Sequence, residues 1–268
     1  FMILNSKYNF LCPYKVKNLI RIGREFDGGY LVCEDSLKHV ENLITLGVGD
    51  DTSFERDLNN RLKLNKILLF DYTINNYLFV KIILKYFRRF ITFRSPLKNL
   101  TYSIKNFFNF FKFIKKPNVS LLKSRVVSHI REKIDINLKK IFEMNLNEKN
   151  FLKIDIEGSE YEIIEDIIDH SQKISVLIIE FHWINKQNDK FIDSVEKLKE
   201  KFDIIHIHPN NYKQIQNDED FFDVVELSFV NKSINSFNNE KRYNFPIDGL
   251  DFDCFPNHKS FIFSFQKD

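Results

Sequence analysis

The sequence predicts an α/β protein built on an open, mostly parallel sheet of the nucleotide-binding type. Three observations predict it. Residues 42–46 read as an apolar strand, Gly47-Val48-Gly49 as a tight turn and 52–62 as a helix; a strand at 66–70 then ends in Asp71. A second unit repeats that order. Apolar 151–154 is broken by Asp155-Ile156-Glu157-Gly158, after which Tyr161, Ile163, Ile164, Ile167 and Ile168 fall at helical spacing. A further strand at 174–181 ends in Glu180-Phe181-His182. Ligands bind such sheets at the carboxyl edge of the strands, so Asp155, Glu180 and His182 arrive together at the expected site.

Composition bounds the rest. A chain of 268 residues, 43% apolar and 29% charged, suits one globular domain spanning 1–268. Alanine is absent while Phe, Asn, Lys and Ile abound, the mark of an AT-rich bacterial genome. Cys12, Cys33 and Cys254 show no metal spacing and form an odd set, which fits a reducing, cytoplasmic location. No early stretch has the apolar run of a signal peptide, and Phe1 is expected to be an addition before Met2. The most apolar segment, 77–93, is interrupted by Lys81, Lys85, Arg88 and Arg89, so no spanning helix is expected.

Taken in order, Asp27-Gly28-Gly29 is a turn before a short strand at 30–33. A plain hairpin is the first account of that turn, although Arg21 and Arg24 just before it are candidates to reach a substrate phosphate or carboxylate. Thr52 or Ser53 is the expected cap of the first helix, and Ser159 of the one after Gly158. The glycine turn argues against a dinucleotide. Thr52 stands where a third glycine belongs, and Asp50 and Asp51 repel phosphates. A sulfonium carrying adenosine suits it better, which points to S-adenosylmethionine. Gly47, Val48, Gly49, Asp71, Tyr72 and Asp155 are then the cofactor residues, with Asp71 accepting from the ribose hydroxyls.

Residues 74–124 form a basic, aromatic insert, with helices expected at 74–89 and 97–114. Between Lys81 and Lys133 stand fourteen Lys and Arg against one acid, Glu132, in a chain whose net charge is only +3. A solvated face accounts for such a run. The functional alternatives are a phosphorylated or acidic substrate and peripheral contact with an anionic membrane. No nucleic-acid reading motif is present. Beyond it, a helix at 189–201 leads to a strand at 202–207, ending near His206, His208 and Asn211. Strands at 224–230 and 261–265 follow, and two strands without a helix between them are expected to pair antiparallel. The polar stretch 231–259 is a long cover loop.

These segments resemble the FkbM-type family of S-adenosylmethionine-dependent methyltransferases. The resemblance rests on KIDIEGSEYEII at 153–164, IIEFH at 178–182, LGVGDDTSFE at 46–55 and LLFD at 68–71, and spans roughly 20–210. Thr45 and Asp50-Asp51 depart from the family pattern. The resemblance implies a class I fold, a Rossmann-like seven-stranded sheet with an antiparallel last strand. It also implies O-methylation, commonly of a sugar hydroxyl in glycan, capsule or natural-product pathways.

A sugar hydroxyl needs its proton drawn away. On a strand, residues two apart share a face, so Glu180 points with His182, and His206 with His208. His182 is the expected base and His208 the alternative, with Asn211 and Arg24 holding substrate. Asp155, Glu180 and His182 are candidate ligands of a divalent Mg²⁺ or Mn²⁺. Rival readings are a non-catalytic adenosyl-binding or membrane-docking module, and a methyltransferase of lipid or nucleic acid. Cofactor calorimetry and vesicle binding separate them. The sequence fixes no oligomeric state.

Overall fold

Short apolar runs rich in Ile, Leu, Val and Phe are the strands of a sheet covered on both faces. Seven join one sheet: β1 (Asn42–Leu46), β2 (Lys66–Phe70), β3 (Val119–Leu122), β4 (Asn150–Ile154), β5 (Ile174–Phe181), β6 (Phe202–Pro209) and β7 (Val225–Asn231). The computed structural model describes residues 1–144, 146, 149–215, 220–235 and 237–267. The strands lie in the order β6-β7-β5-β4-β1-β2-β3. The β4–β5, β1–β4, β1–β2 and β2–β3 pairs are parallel, and β7 is antiparallel to both β5 and β6. The chain winds outward from β1 to β3, then returns to lay β4 beside β1. That reversal opens a crevice at the carboxyl ends of β1 and β4.

Two layers cover the sheet. On one face Leu152, Ile154, Leu177 and Ile179 pack with Ile164 and Ile167 of α4 (Ile164–Asp169) and Phe191, Val195 and Leu198 of α5 (Asn188–Lys201). On the other, Leu43, Leu69, Phe151 and Ile178 pack with Phe54 and Leu58 of α1 (Ser53–Leu62). Residues alternate between these faces, so Lys153 and Asp155 share the α1 side with Phe151. Leu19–Ile22 and Tyr30–Cys33 form an antiparallel hairpin whose Tyr30 and Val32 join that same layer.

Within the basic stretch, α2 (Asn76–Ile91) and α3 (Leu97–Ile114) form a helical hairpin, fastened by Phe79 against Phe107, Phe110 and Phe111. The insert is shorter than 74–124. Val119–Leu122 leaves it to pair with Ile67–Phe70 as the edge strand β3. The strand expected at 261–265 is also corrected. Only Phe263–Ser264 is extended, and it joins Met2–Ile3 and Asn244–Phe245 in a separate small sheet, stacked through Phe245 and Phe263.

Candidate functional site

The crevice opens into a cavity of about 730 Å³ at the ends of β1, β2 and β4. Its floor is the glycine turn. Gly47 has φ +78°, and a Cβ there would sit 1.6 Å from the Asp155 carbonyl oxygen. Only glycine lets the β1 and β4 ends touch. Gly49, at φ +59°, has nothing within 4 Å of a Cβ and leaves open space over the turn. Asp71, at the end of β2, holds the turn from below. Its Oδ2 accepts from the Gly49 amide at 2.9 Å, and its Oδ1 from the Thr73 amide at 2.8 Å and hydroxyl at 2.6 Å. A carboxylate with both oxygens so engaged retains lone pairs for a ribose diol. Tyr72, half exposed, supplies the wall beside it.

Neither Thr52 nor Ser53 caps α1 through its side chain. Asp51 does so, accepting from the Ser53 amide at 2.8 Å. Burial, then the neighbouring Asp51, pushes the Asp50 carboxyl up from its usual range. A cationic sulfonium over this acidic turn relieves that repulsion, whereas a phosphate adds to it. Gly47, Val48, Gly49, Asp71, Tyr72 and Asp155 all line the cavity. This donor set fits S-adenosylmethionine.

Between β4 and α4 the chain makes a strained turn. Glu157 takes φ +53° and Gly158 φ +100°, where a Cβ would strike the Trp183 ring at 2.2 Å. The expected cap Ser159 makes no capping bond. The fully buried Glu160 organises the turn instead, its Oε1 accepting from the Ile156 amide at 3.2 Å and the Gly158 amide at 3.0 Å. The same oxygen lies 3.0 Å from His182 Nδ1. The regular α4 therefore begins only at Ile164, after a single tight turn over Glu160–Glu162.

His182 is buried and does not line the cavity; Asp155 stands in front of it. Its Nε2 is 3.8 Å from Asp155 Oδ1, 3.7 Å from Glu180 Oε1 and 3.6 Å from Glu157 Oε2. Burial alone lowers its pKa, but the Glu160 hydrogen bond and the Glu180 charge outweigh that and hold it at about 9. The imidazole is thus charged at neutral pH, and the expectation of a neutral base at His182 is corrected. Burial raises Asp155 to about 6, and burial with the Asp155 charge raises Glu180 to about 8. Of Asp155, Glu180 and His182, only Asp155 lines the cavity. The metal-type grouping is also changed: Asp155, Glu157 and His182 place ligand atoms within 4.8 Å of one another, with Glu157 in the place expected for Glu180.

Three other expectations are corrected. Strand β6 runs on to Pro209, and His206 and His208 do point together, but toward Asp251 (3.0 and 3.4 Å). His208 does not itself line the cavity; its Nε2 lies 3.6 Å from Sγ of Cys254, which does. Asn211 is locked to the backbone of Phe255, donating to its carbonyl at 2.9 Å and accepting from its amide at 2.8 Å. It does not line the cavity. Arg24 lines the cavity but is tied to Asp51 at 3.1 Å, Tyr102 at 2.8 Å and the Asp27 carbonyl. Arg21 donates to the carbonyls of Arg24, Phe26 and Leu250.

Sequence reasoning missed Glu160, Glu55 and the cavity residues Cys254 and Phe255. Lys153 carried one signal. A lysine inside an apolar strand requires a buried partner, and Glu55 Oε1 supplies it at 3.7 Å, with Tyr30 and Phe54 ringing the ammonium.

A parallel sheet interrupted by one antiparallel strand, opening an acid-lined cavity over a glycine turn, places the protein in the class of Rossmann-like S-adenosylmethionine-dependent methyltransferases. The chain belongs to the FkbM methyltransferase family: residues 10–206 match the family model described as the methyltransferase FkbM domain. Solved structures similar to it in fold include the fibrillarin pre-rRNA processing protein of Methanococcus jannaschii (8% identity, TM-score 0.39, covering 74% of this chain and 69% of that one). Another is a precorrin-6y C5,15-methyltransferase of Geobacter metallireducens (11%, 0.36, 74% and 86%). A third is TrmK of M. capricolum, solved with S-adenosyl-homocysteine (14%, 0.36, 77% and 67%). No curated protein matches the chain in sequence.

Proposed function

We propose that the protein methylates a hydroxyl of a sugar, with Asp155 as the base. The observation that carries this reading is the Asp155 carboxylate, raised to about 6, at the cavity wall beside the glycine turn. Bound over that turn, S-adenosylmethionine supplies an electrophilic methyl on sulfur. Asp155 would take the proton of the hydroxyl that accepts the methyl, with S-adenosyl-homocysteine as the leaving group. A carboxylate with a raised pKa is a stronger base than an ordinary one. Lys153 and the charged His182 behind it favour the ionised form of Asp155.

The walls suit a polyol with an anionic group at one end. Asp155 and Glu157 accept from hydroxyls, while Lys85 and Arg125 line the far side. Arg125 is already paired with Asp135 at 2.8 Å, which leaves Lys85 the principal contact for a diphosphate or acidic glycan. A nucleotide-activated sugar or a capsule or surface-glycan precursor has that shape of charge.

The Asp155–Glu157–His182 grouping supports a second reading, in which a divalent cation helps activate the hydroxyl. Asp155, Glu157 and His182 would hold it, the last after losing its Nε2 proton. A methyl-transfer screen over nucleotide-activated sugars, run with and without EDTA, tests both. Turnover that survives EDTA and falls about 10²–10⁴-fold in Asp155→Asn supports the base. Loss of turnover in EDTA, restored by Mn²⁺, favours the cation. Activity only on lipid or RNA acceptors overturns the sugar assignment.

A further inference from the structure

The α2–α3 hairpin has a second apolar face that the fold does not use. In α2, Phe79 is buried and Ile82, Ile83 and Tyr86 are half-buried toward the protein. Tyr77, Val80, Leu84, Phe87 and Ile91 recur at alternating three- and four-residue steps on the other side, 47–72% exposed. In α3, Leu97, Ile104 and Phe108 are likewise 52%, 38% and 65% exposed. At the apex between the helices Phe93 is 97% exposed, at φ +55°.

Cations flank these stripes. Lys81, Lys85, Arg88 and Arg89 run beside the one in α2, and Lys98, Lys105 and Lys112, seven residues apart, beside the one in α3. Residues 76–116 contain ten Lys and Arg and no Asp or Glu. A second copy docked through this same face would set like charges against each other. Nucleic acid would satisfy the cations but leave Val80, Leu84, Ile91 and Leu97, which cannot stack on bases, in water. No helix among the described residues is long and apolar enough to cross a membrane. Exposed apolar stripes bordered by cations are the pattern of a helix lying in the plane of an anionic interface.

We propose that this hairpin docks the protein on an anionic lipid bilayer. The outer stripes and Phe93 enter the headgroup–acyl boundary, and the flanking Lys and Arg other than the cavity-lining Lys85 contact lipid phosphates. Ile82, Lys85 and Tyr86 line the cavity from the same helix, so docking sets the cavity beside the lipid surface.

The test is co-sedimentation of the full chain with phosphatidylcholine vesicles, with and without phosphatidylglycerol. Binding is expected only with the anionic lipid and is weakened by salt. Phe87→Asp with Ile91→Asp, and separately Lys98→Glu with Lys105→Glu and Lys112→Glu, should each reduce partitioning about tenfold or more. All five positions are exposed, so the melting temperature should stay at the wild-type value. For a variant that melts lower, Phe93→Ser at the apex replaces it. Equal binding to both vesicle types, or full binding by the Phe87→Asp, Ile91→Asp protein, overturns the proposal. So does single-stranded RNA that displaces the protein from vesicles at equal phosphate concentration, which would assign the face to nucleic acid.

Discussion

In the proposed mechanism Asp155 and His182 divide one proton-handling task through the difference in their surroundings. Asp155 has burial working against its charge and a cationic ring behind it, so it stays ionised near neutral pH while remaining a usable base. His182 has Glu160 on Nδ1 and further carboxylates around Nε2, which keep it charged. The kcat/KM profile should therefore rise through about pH 6 and fall as pH approaches about 9. In His182→Gln one of the two charges that lower Asp155 is gone while Lys153 remains, so the rising limb should move somewhat to higher pH and the falling limb should flatten. A profile unchanged by His182→Gln would remove that residue from the proton chemistry.

At the scale of elements, the β1 turn shows how glycines of similar conformation differ in consequence. Gly47→Ala forces a methyl into the Asp155 carbonyl, so it should cost well over the roughly 1–2 kcal/mol of left-handed strain alone. Gly49→Ala meets open space and should cost only that strain. Chemical denaturation of the two variants checks the order. Asp71 shapes the same turn from β2. Asp71→Ala should free the Gly49 and Thr73 amides and weaken S-adenosylmethionine by about tenfold to a hundredfold, read by calorimetry. Unchanged affinity would mean that neither the turn's shape nor an acid at this position matters to the cofactor. On the far wall, Lys85→Glu should raise KM for an anionic acceptor and leave cofactor affinity alone.

For the whole molecule, what the sequence made legible was local and periodic. The runs at β1, β2 and β5 matched their expected bounds because two-sided burial demands unbroken apolar strands. The α3 bounds followed from spacing and from the stop at Lys116-Pro117. Long-range contacts were not legible. Nothing near His208 announces Asp251, which turns it from the cavity, and nothing near His182 announces that Glu160 would bend back from a turn where Glu157 is left-handed. The strand β3 was hidden because four residues at the end of a basic run carry too little pattern to stand out.

The same buried acids make a global prediction about stability and pH. Asp155 and Glu180 have folded pKa values of about 6 and about 8, above their ordinary ranges, and burial also raises Glu226 well above its usual value. The folded state therefore binds more protons than the unfolded chain from about pH 4 upward, so these groups lower stability as pH rises. His182 adds to the trend: its contribution is complete below its unfolded value near 6.5 and is lost as pH passes through about 9. Asp251 works the other way, since the His206 charge and hydrogen bond overcome burial and hold its carboxyl far below the usual range. Its contribution is present above its unfolded value and fails only in strong acid, outside this window. The melting temperature should consequently decline steadily from pH 5 to pH 9 rather than hold a plateau. Glu180→Gln keeps an oxygen for the Asn210 amide, which now donates to Glu180 at 3.2 Å, and removes the carboxyl that must ionise in the core. That variant should match the wild type near pH 5 and exceed it by about 1–3 kcal/mol near pH 9. A Glu180→Gln protein that is less stable than the wild type throughout would show that the carboxylate is ionised and paired in the fold, and would remove the basis for the pH trend.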